Sequence, residues 1–268
     1  MDHFYEGMMS KLILFSVTLT LCVGLLTGAV LRRAKENARV PVLLELFTSE
    51  GCSSCPAADQ LLAFWDEKQP VPGAELIVLS EHVDYWDRLG WKDRFSSPQY
   101  SARQEEYASK YHLDGIYTPQ LVVDGRFGFV GSDQRVALPA IQKAAQQAKA
   151  SVVISNAMRD EDRVTAHIEI PAGESPIDGR AVLFAAIADN RAQSQVTRGE
   201  NGGRTLAHVA VTRVLERIGV IDLKLPSSKD VKLSLPAGTG ASGLRLIVFM
   251  QNPISGHIVA AAAHGVTQ

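Results

Sequence analysis

Two cysteines in a Cys-x-x-Cys spacing carry the reactive chemistry of this chain. They lie in Glu45-Leu-Phe-Thr-Ser-Glu-Gly-Cys52-Ser53-Ser54-Cys55-Pro56. A helix that begins here presents unpaired N–H groups and the positive end of its dipole, which favour thiolate over thiol at the first cysteine. The second cysteine, one turn in, can reach back to form a disulfide with it. Pro56 suits a first helical turn, where its missing N–H has no carbonyl to bond. Two other chemistries use the same spacing: half of a metal site, and an inert structural bond. The chain has three cysteines in all, so a four-thiolate zinc site is excluded, while a mixed site completed by histidine stays open. A bond closing so short a loop restrains the unfolded chain very little, which favours reactivity over stapling as its purpose.

The elements that must position the pair are legible on either side of it. Val42–Phe47 is a short run of branched and aromatic residues that reads as a buried strand, and Ala57–Trp65 has apolar residues at helical spacing. After the turn Pro70-Val-Pro-Gly73, the run Ala74–Glu81 reads as a second strand. Strand, helix, strand predicts a parallel pair joined by a crossover, with the loops at the strands' carboxyl ends as neighbours. The cysteine turn then faces Glu81-His82-Val-Asp84-Tyr-Trp86-Asp87. In that setting His82 can exchange a proton with a thiol, Asp84 can orient it, and Trp86 and Trp91 can form a rim. The plainer alternative is that His82 and Asp84 bond within their own loop and the tryptophans cover the sheet. Ser97–His112 predicts a helix begun by Ser-Pro, a lid or insert. Thr118-Pro119 then leads directly into an apolar strand; proline there marks a strand start and is compatible with a cis bond. Asp124-Gly125 predicts a hairpin turn to Phe127–Val130, and a last helix spans about 132–150.

These residues resemble a thioredoxin-like domain over 40–150, with Thr118-Pro119 in the place of the cis-proline loop opposite the cysteines. More narrowly, Cys52-Ser-Ser-Cys55-Pro-Ala-Ala-Asp59, His82-Val-Asp-Tyr-Trp-Asp87-x-Leu-Gly-Trp91 and Arg198-Gly-Glu-Asn-Gly-Gly-Arg204 resemble an uncharacterised family of secreted bacterial proteins, domain of unknown function 1223. The resemblance implies that Cys52 attacks, Cys55 resolves and Pro119, with Thr118 beside it, shapes a groove for a substrate chain. It also implies that Glu45 takes the part of the buried acid serving the resolving cysteine, although it lies one residue upstream of the expected place. Gly51 stands where thioredoxins carry an aromatic residue, and Ser53-Ser54 replaces their Gly-Pro. Intervening residues tune redox poise, so the direction of electron flow does not carry over.

From Ser151 the character changes. About seven strand-like runs follow, at 151–155, 163–170, 181–188, 208–214, 231–235, 244–250 and 257–263, separated by turn residues. They predict an all-β sandwich over 151–268, after a thioredoxin-like domain over 39–150 with its helical insert. One loop is too polar and glycine-rich for a strand: Thr197-Arg198-Gly-Glu200-Asn-Gly-Gly-Arg204. Arg198, Glu200 and Arg204 can bind an anionic group or clamp the loop beside the cysteines; a solvated hairpin is the plainer alternative.

At the other end, Leu12–Val30 is an uncharged apolar run after Lys11, so residues 1–38 read as a signal peptide or N-terminal membrane anchor with a linker. Cys22 is a passenger within it. The expected location is periplasmic or secreted, with the inner membrane touched only through residues 12–30 if they stay attached. A formal net charge of −2 and the lack of a basic run beyond Arg32-Arg33-Ala34-Lys35 argue against nucleic-acid binding. The reading is an exported thiol–disulfide oxidoreductase that needs no cofactor, with a protein or small-molecule disulfide or dithiol as substrate and an upstream redox partner. Its rivals are an envelope metal-handling module that binds a copper-type ion through Cys52, Cys55 and His82, and a non-enzymatic envelope adaptor.

Overall fold

A computed structural model describes residues 39–171, 179–239 and 243–268; the N-terminal export or anchor segment, with Cys22, lies outside the described residues. β1 (Val40–Thr48) is buried along nearly all of its length, the mark of an apolar strand covered on both faces. The cysteine turn leads into α1 (Cys55–Lys68), and the chain returns as β2 (Ala74–His82). β1 and β2 pair in parallel from Val40↔Ala74 to Thr48↔His82, as the strand–helix–strand pattern predicts. After a 3-10 turn (Asp87–Leu89) comes α2 (Pro98–Tyr111), capped by the Ser97 hydroxyl, which accepts from the Gln99 N–H. The hairpin of β3 (Gln120–Val123) and β4 (Phe127–Val130) joins the other edge of β1. Asp124 and Gly125 both have positive φ, as a tight hairpin turn demands. Gly125 is also required sterically, since a Cβ there would stand 2.0 Å from the Gly256 carbonyl oxygen. α3 (Gln134–Ala144) closes this half.

The remaining strands are β5 (Val153–Asp160), β6 (Arg163–Ile170), β7 (Arg180–Gln195), β8 (Thr205–Asp222), β9 (Ser227–Ser234), β10 (Leu244–Gln251) and β11 (Ile258–Val266). Each falls on one of the runs read as strands, but their grouping differs from expectation. Four of them continue the first sheet, whose order is β11-β10-β7-β8-β2-β1-β3-β4; β5, β6 and β9 form a separate three-stranded sheet. The fold is therefore mixed α/β, with a large mixed sheet and a second small one. No sheet boundary falls at residue 150: β2 and β8 meet in parallel through Ser80↔Val211, and Val40–Gln268 makes one compact unit.

Period-two alternation explains the stacking of the small sheet. Ala181, Leu183, Ala185 and Ile187 of β7 and Leu244, Leu246, Val248 and Met250 of β10 share a core with Val164, Ala166 and Ile168 of β6 and Val231 and Leu233 of β9. The residues between them face the opposite way. Phe184 and Phe249 stack there with ring centroids 5.1 Å apart, and the Arg103 guanidinium of α2 lies 5.2 Å from each ring. α2 is thus a packed layer rather than the lid expected from its polar sequence: Tyr100, Arg103, Gln104 and Tyr107 are buried. Among the described residues, no helix is long and apolar enough to cross a membrane.

Candidate functional site

Cys52 and Cys55 form a disulfide with Cα atoms 5.4 Å apart. Cys55 is the first residue of α1, and Cys52 sits in the turn before it, where its N–H bonds the Ser49 carbonyl and its own carbonyl accepts from the Cys55 N–H. The Ser54 hydroxyl lies 3.4 Å from Cys52 Sγ. The Thr118–Pro119 bond is cis. Ala58, one turn into α1, and Pro119 both border the same point, lying 3.2 and 3.4 Å from where a Cβ on Gly131 would stand. Trp86 links the two loops. Its indole N–H donates to Thr118 Oγ1 at 2.8 Å, while its Cβ would be 3.2 Å from a Cβ at position 51. A side chain at position 51 would crowd Trp86, which must then give by a few tenths of an ångström.

Both sulfurs are sealed, at 0% exposure, whereas an open groove was the expectation. Part of the cover is the loop between β7 and β8. The Ser53 N–H donates to Glu200 Oε2 at 3.0 Å, and the Ser53 hydroxyl, with this N–H behind it, holds the Glu200 carboxyl below the usual carboxylate range. Asn201, fully buried, donates from Nδ2 to the Glu50 and Cys52 carbonyls at 2.9 Å each, and Arg204 in turn donates to Asn201 Oδ1. Gly199, with φ +71°, packs against Trp91 and lies beside Gly90. Glu200 ties this loop to the cysteine turn, Arg204 bonds Asn201 within the loop, and Arg198 is exposed on it.

Beneath the turn lies a buried ionisable cluster. His82 Nδ1 meets Asp93 Oδ2 at 2.6 Å, and the same oxygen accepts from the Glu50 N–H. Burial pulls the His82 pKa down, but Asp93, with Asp59 and Glu50 behind it, more than reverses this and leaves it raised. His208 stands between Asp59 Oδ2 (3.6 Å) and Glu50 Oε1 (3.8 Å), with its ring centroid 4.7 Å from that of His82. Thr48 Oγ1 donates to Asp59 Oδ2, and Trp91 Nε1 to Glu50 Oε2. Glu50 lies two residues before Cys52 and Asp59 one helical turn after Cys55, so proton donors and acceptors border the disulfide from both sides in the chain.

Two expected roles are corrected. The partner of His82 is Asp93, not Asp84, whose carboxylate accepts from the Ser101 hydroxyl at 2.5 Å. Glu45 lies on the wrong face of β1. Thr48 and Leu46 point toward α1, contacting Asp59 and approaching Ala58, so strand alternation turns Glu45 to the other side. There it accepts from Arg103 at 2.6 Å and from the Tyr107 hydroxyl at 2.6 Å. Sequence reasoning missed Glu50, Asp59, Asp93, Asn201 and His208. Asp59 and Glu50 had a signal, their spacing of one helical turn from Cys55 and of two residues from Cys52; Asp93, Asn201 and His208 are brought in by chain return. Among the described residues, no group of three or more His, Cys, Asp or Glu is arranged to hold a metal ion.

A family model described as "Protein of unknown function (DUF1223)" matches residues 43–251. The crystal structure of protein AGR_C_4864 from Agrobacterium tumefaciens superposes with a TM-score of 0.61 at 29% identity, over 84% of this chain and 94% of that one. HBP35 of Porphyromonas gingivalis superposes with a TM-score of 0.57 at 16% identity, over 85% and 76% of the two chains, a likeness of fold alone. No curated protein matches the chain.

Proposed function

This chain belongs to the DUF1223 family, and from that premise we propose that it is an exported thiol–disulfide oxidoreductase of thioredoxin-like architecture. The observation that carries the reading is a disulfide at the junction of a central strand and a helix, with a cis proline that borders Gly131 from one side as Ala58 of that helix does. In the reduced state the Cys52 thiolate attacks one sulfur of a substrate disulfide and expels the other as thiolate. The Cys55 thiolate then attacks Cys52 Sγ, freeing the second substrate thiol and restoring the Cys52–Cys55 bond. Two electrons pass from the pair to the substrate, and an upstream dithiol replaces them. Protons enter and leave through the groups bordering the turn, Asp59 and His208 foremost. Because both sulfurs are covered, exchange requires the loop carrying Glu200 and Asn201 to lift.

That same cover favours a second reading, an envelope protein without enzymatic activity whose disulfide locks the turn. Insulin reduction in the presence of dithiothreitol separates the two. The oxidoreductase reading expects the wild-type chain to accelerate precipitation and Cys52→Ser to fall to the uncatalysed rate. Turnover by Cys52→Ser equal to wild type defeats the mechanism, and a wild-type chain that never exceeds background supports the locked turn.

A further inference from the structure

A cavity of about 750 Å³ opens between the β7–β8 hairpin, the segment after the 3-10 turn and the chain beyond β9. Its volume lies within the range of small-molecule sites. Three guanidiniums line it, those of Arg94, Arg191 and Arg213, against a single carboxylate, Asp189. Two of them are held in place around one aromatic ring: the Arg94 and Arg213 guanidinium carbons lie 4.6 and 5.4 Å from the Phe95 centroid. Arg94 also donates to the Gln193 carbonyl at 2.9 Å, and Arg213 to Asp189 Oδ2 at 3.0 Å. A guanidinium has five N–H donors in a rigid fork, so each of these anchors leaves further donors for an anion. Burial pushes the Asp189 carboxyl up, against the pull of Arg213. The rest of the wall is mostly apolar, formed by side chains such as Ala192, Ala207 and Val209 around Phe95, with Gln193 and His208 as its other polar side chains.

We propose that this cavity binds an amphipathic organic anion, a molecule with an apolar body and a carboxylate, sulfonate or phosphate head. The head meets the forks of Arg94 and Arg213, and the body lies on Phe95 and the alanine wall. A half-open, mostly apolar cavity with a few pre-positioned cations suits such a molecule better than inorganic phosphate, which would leave the apolar wall uncovered, or a neutral lipid, which would leave the guanidiniums unanswered. His208, which the redox reading uses for proton transfer, also lines the cavity, but the anion contacts fall on Arg94 and Arg213, so the proposal survives failure of that reading.

The test titrates the full chain with 8-anilinonaphthalene-1-sulfonate, followed by fluorescence, beside N-phenyl-1-naphthylamine, which has the same rings without the sulfonate. Saturable one-to-one binding of the sulfonate is expected, weakened about tenfold or more by Arg94→Gln through loss of a charge-assisted contact. Ala207→Phe, at an exposed position on the wall, should abolish binding while leaving the melting temperature unchanged, and serves if Arg94→Gln fails to fold. Failure of the sulfonate to bind overturns the proposal. So does equal affinity for the neutral rings, or wild-type affinity in Ala207→Phe.

Discussion

The pairing of His82 with Asp93 gives the site its pH dependence. Raised in the folded state, the His82 pKa stabilises the fold fully below the unfolded value of about 6.5, and this contribution is lost as pH rises through the folded value. Asp93 is lowered overall: burial raises its pKa, but His82 and two backbone N–H groups outweigh that. Its share is therefore present above the ordinary carboxylate value and lost as pH falls through the depressed one. Asp93→Asn is expected to cost about 3 kcal/mol near pH 6, as breaking a buried ion pair does, and progressively less in alkali. Urea unfolding at several pH values measures this; an equal cost at all of them would mean that His82 is neutral throughout. At this scale the sequence placed His82 on the rim of the cysteine site with Asp84 to orient it, whereas the imidazole is buried against Asp93. Asp84 is nearer in the chain, yet it lies beside Ser101, whereas Asp93 returns after the 3-10 turn to meet the imidazole.

Among the elements, the β7–β8 loop decides access to the sulfurs. It connects strands of 16 and 18 residues, and Asn201 fastens it to two carbonyls of the cysteine turn. Asn201→Ala removes both bonds, leaving the Cys52 carbonyl with the Cys55 N–H alone and the Glu50 carbonyl without the amide while the loop is closed, so opening becomes easier. At about 1 kcal/mol for each bond, reduction of the disulfide by excess dithiothreitol should quicken about tenfold or more. A rate unchanged from wild type would show that this loop does not gate the pair. The polar, glycine-rich composition of 197–204 marked a special loop in the sequence, and Arg198, Glu200 and Arg204 were singled out there. Asn201, which makes the bonds to the turn, was passed over because an amide among glycines reads as turn chemistry.

Across the molecule, one sheet spans what the sequence divides into two domains. β8 covers the outer edge of β2 and packs against α1, while α2 sets Arg103 against Phe184 and Phe249. A fragment ending at Ala150 would uncover that strand edge and leave Arg103 without its aromatic bed. It is expected to lose cooperative unfolding in denaturant, monitored by far-UV circular dichroism, while residues 39–268 keep it. Cooperative unfolding of the fragment would show that the N-terminal half is a separate folding unit.

Local pattern was enough to determine the strand–helix–strand around Cys52 and Cys55, the Asp124-Gly125 hairpin and the strand runs after residue 151, because each rests on neighbouring residues and side-chain periodicity. Tertiary structure alone decided which strands share a sheet, which face of β1 Glu45 occupies, which acid meets His82 and that the sulfurs are covered. Those outcomes depend on pairings between residues far apart in the chain, such as Ser53 with Glu200 and Ser80 with Val211, and periodicity within a segment carries no information about the segment that returns to meet it.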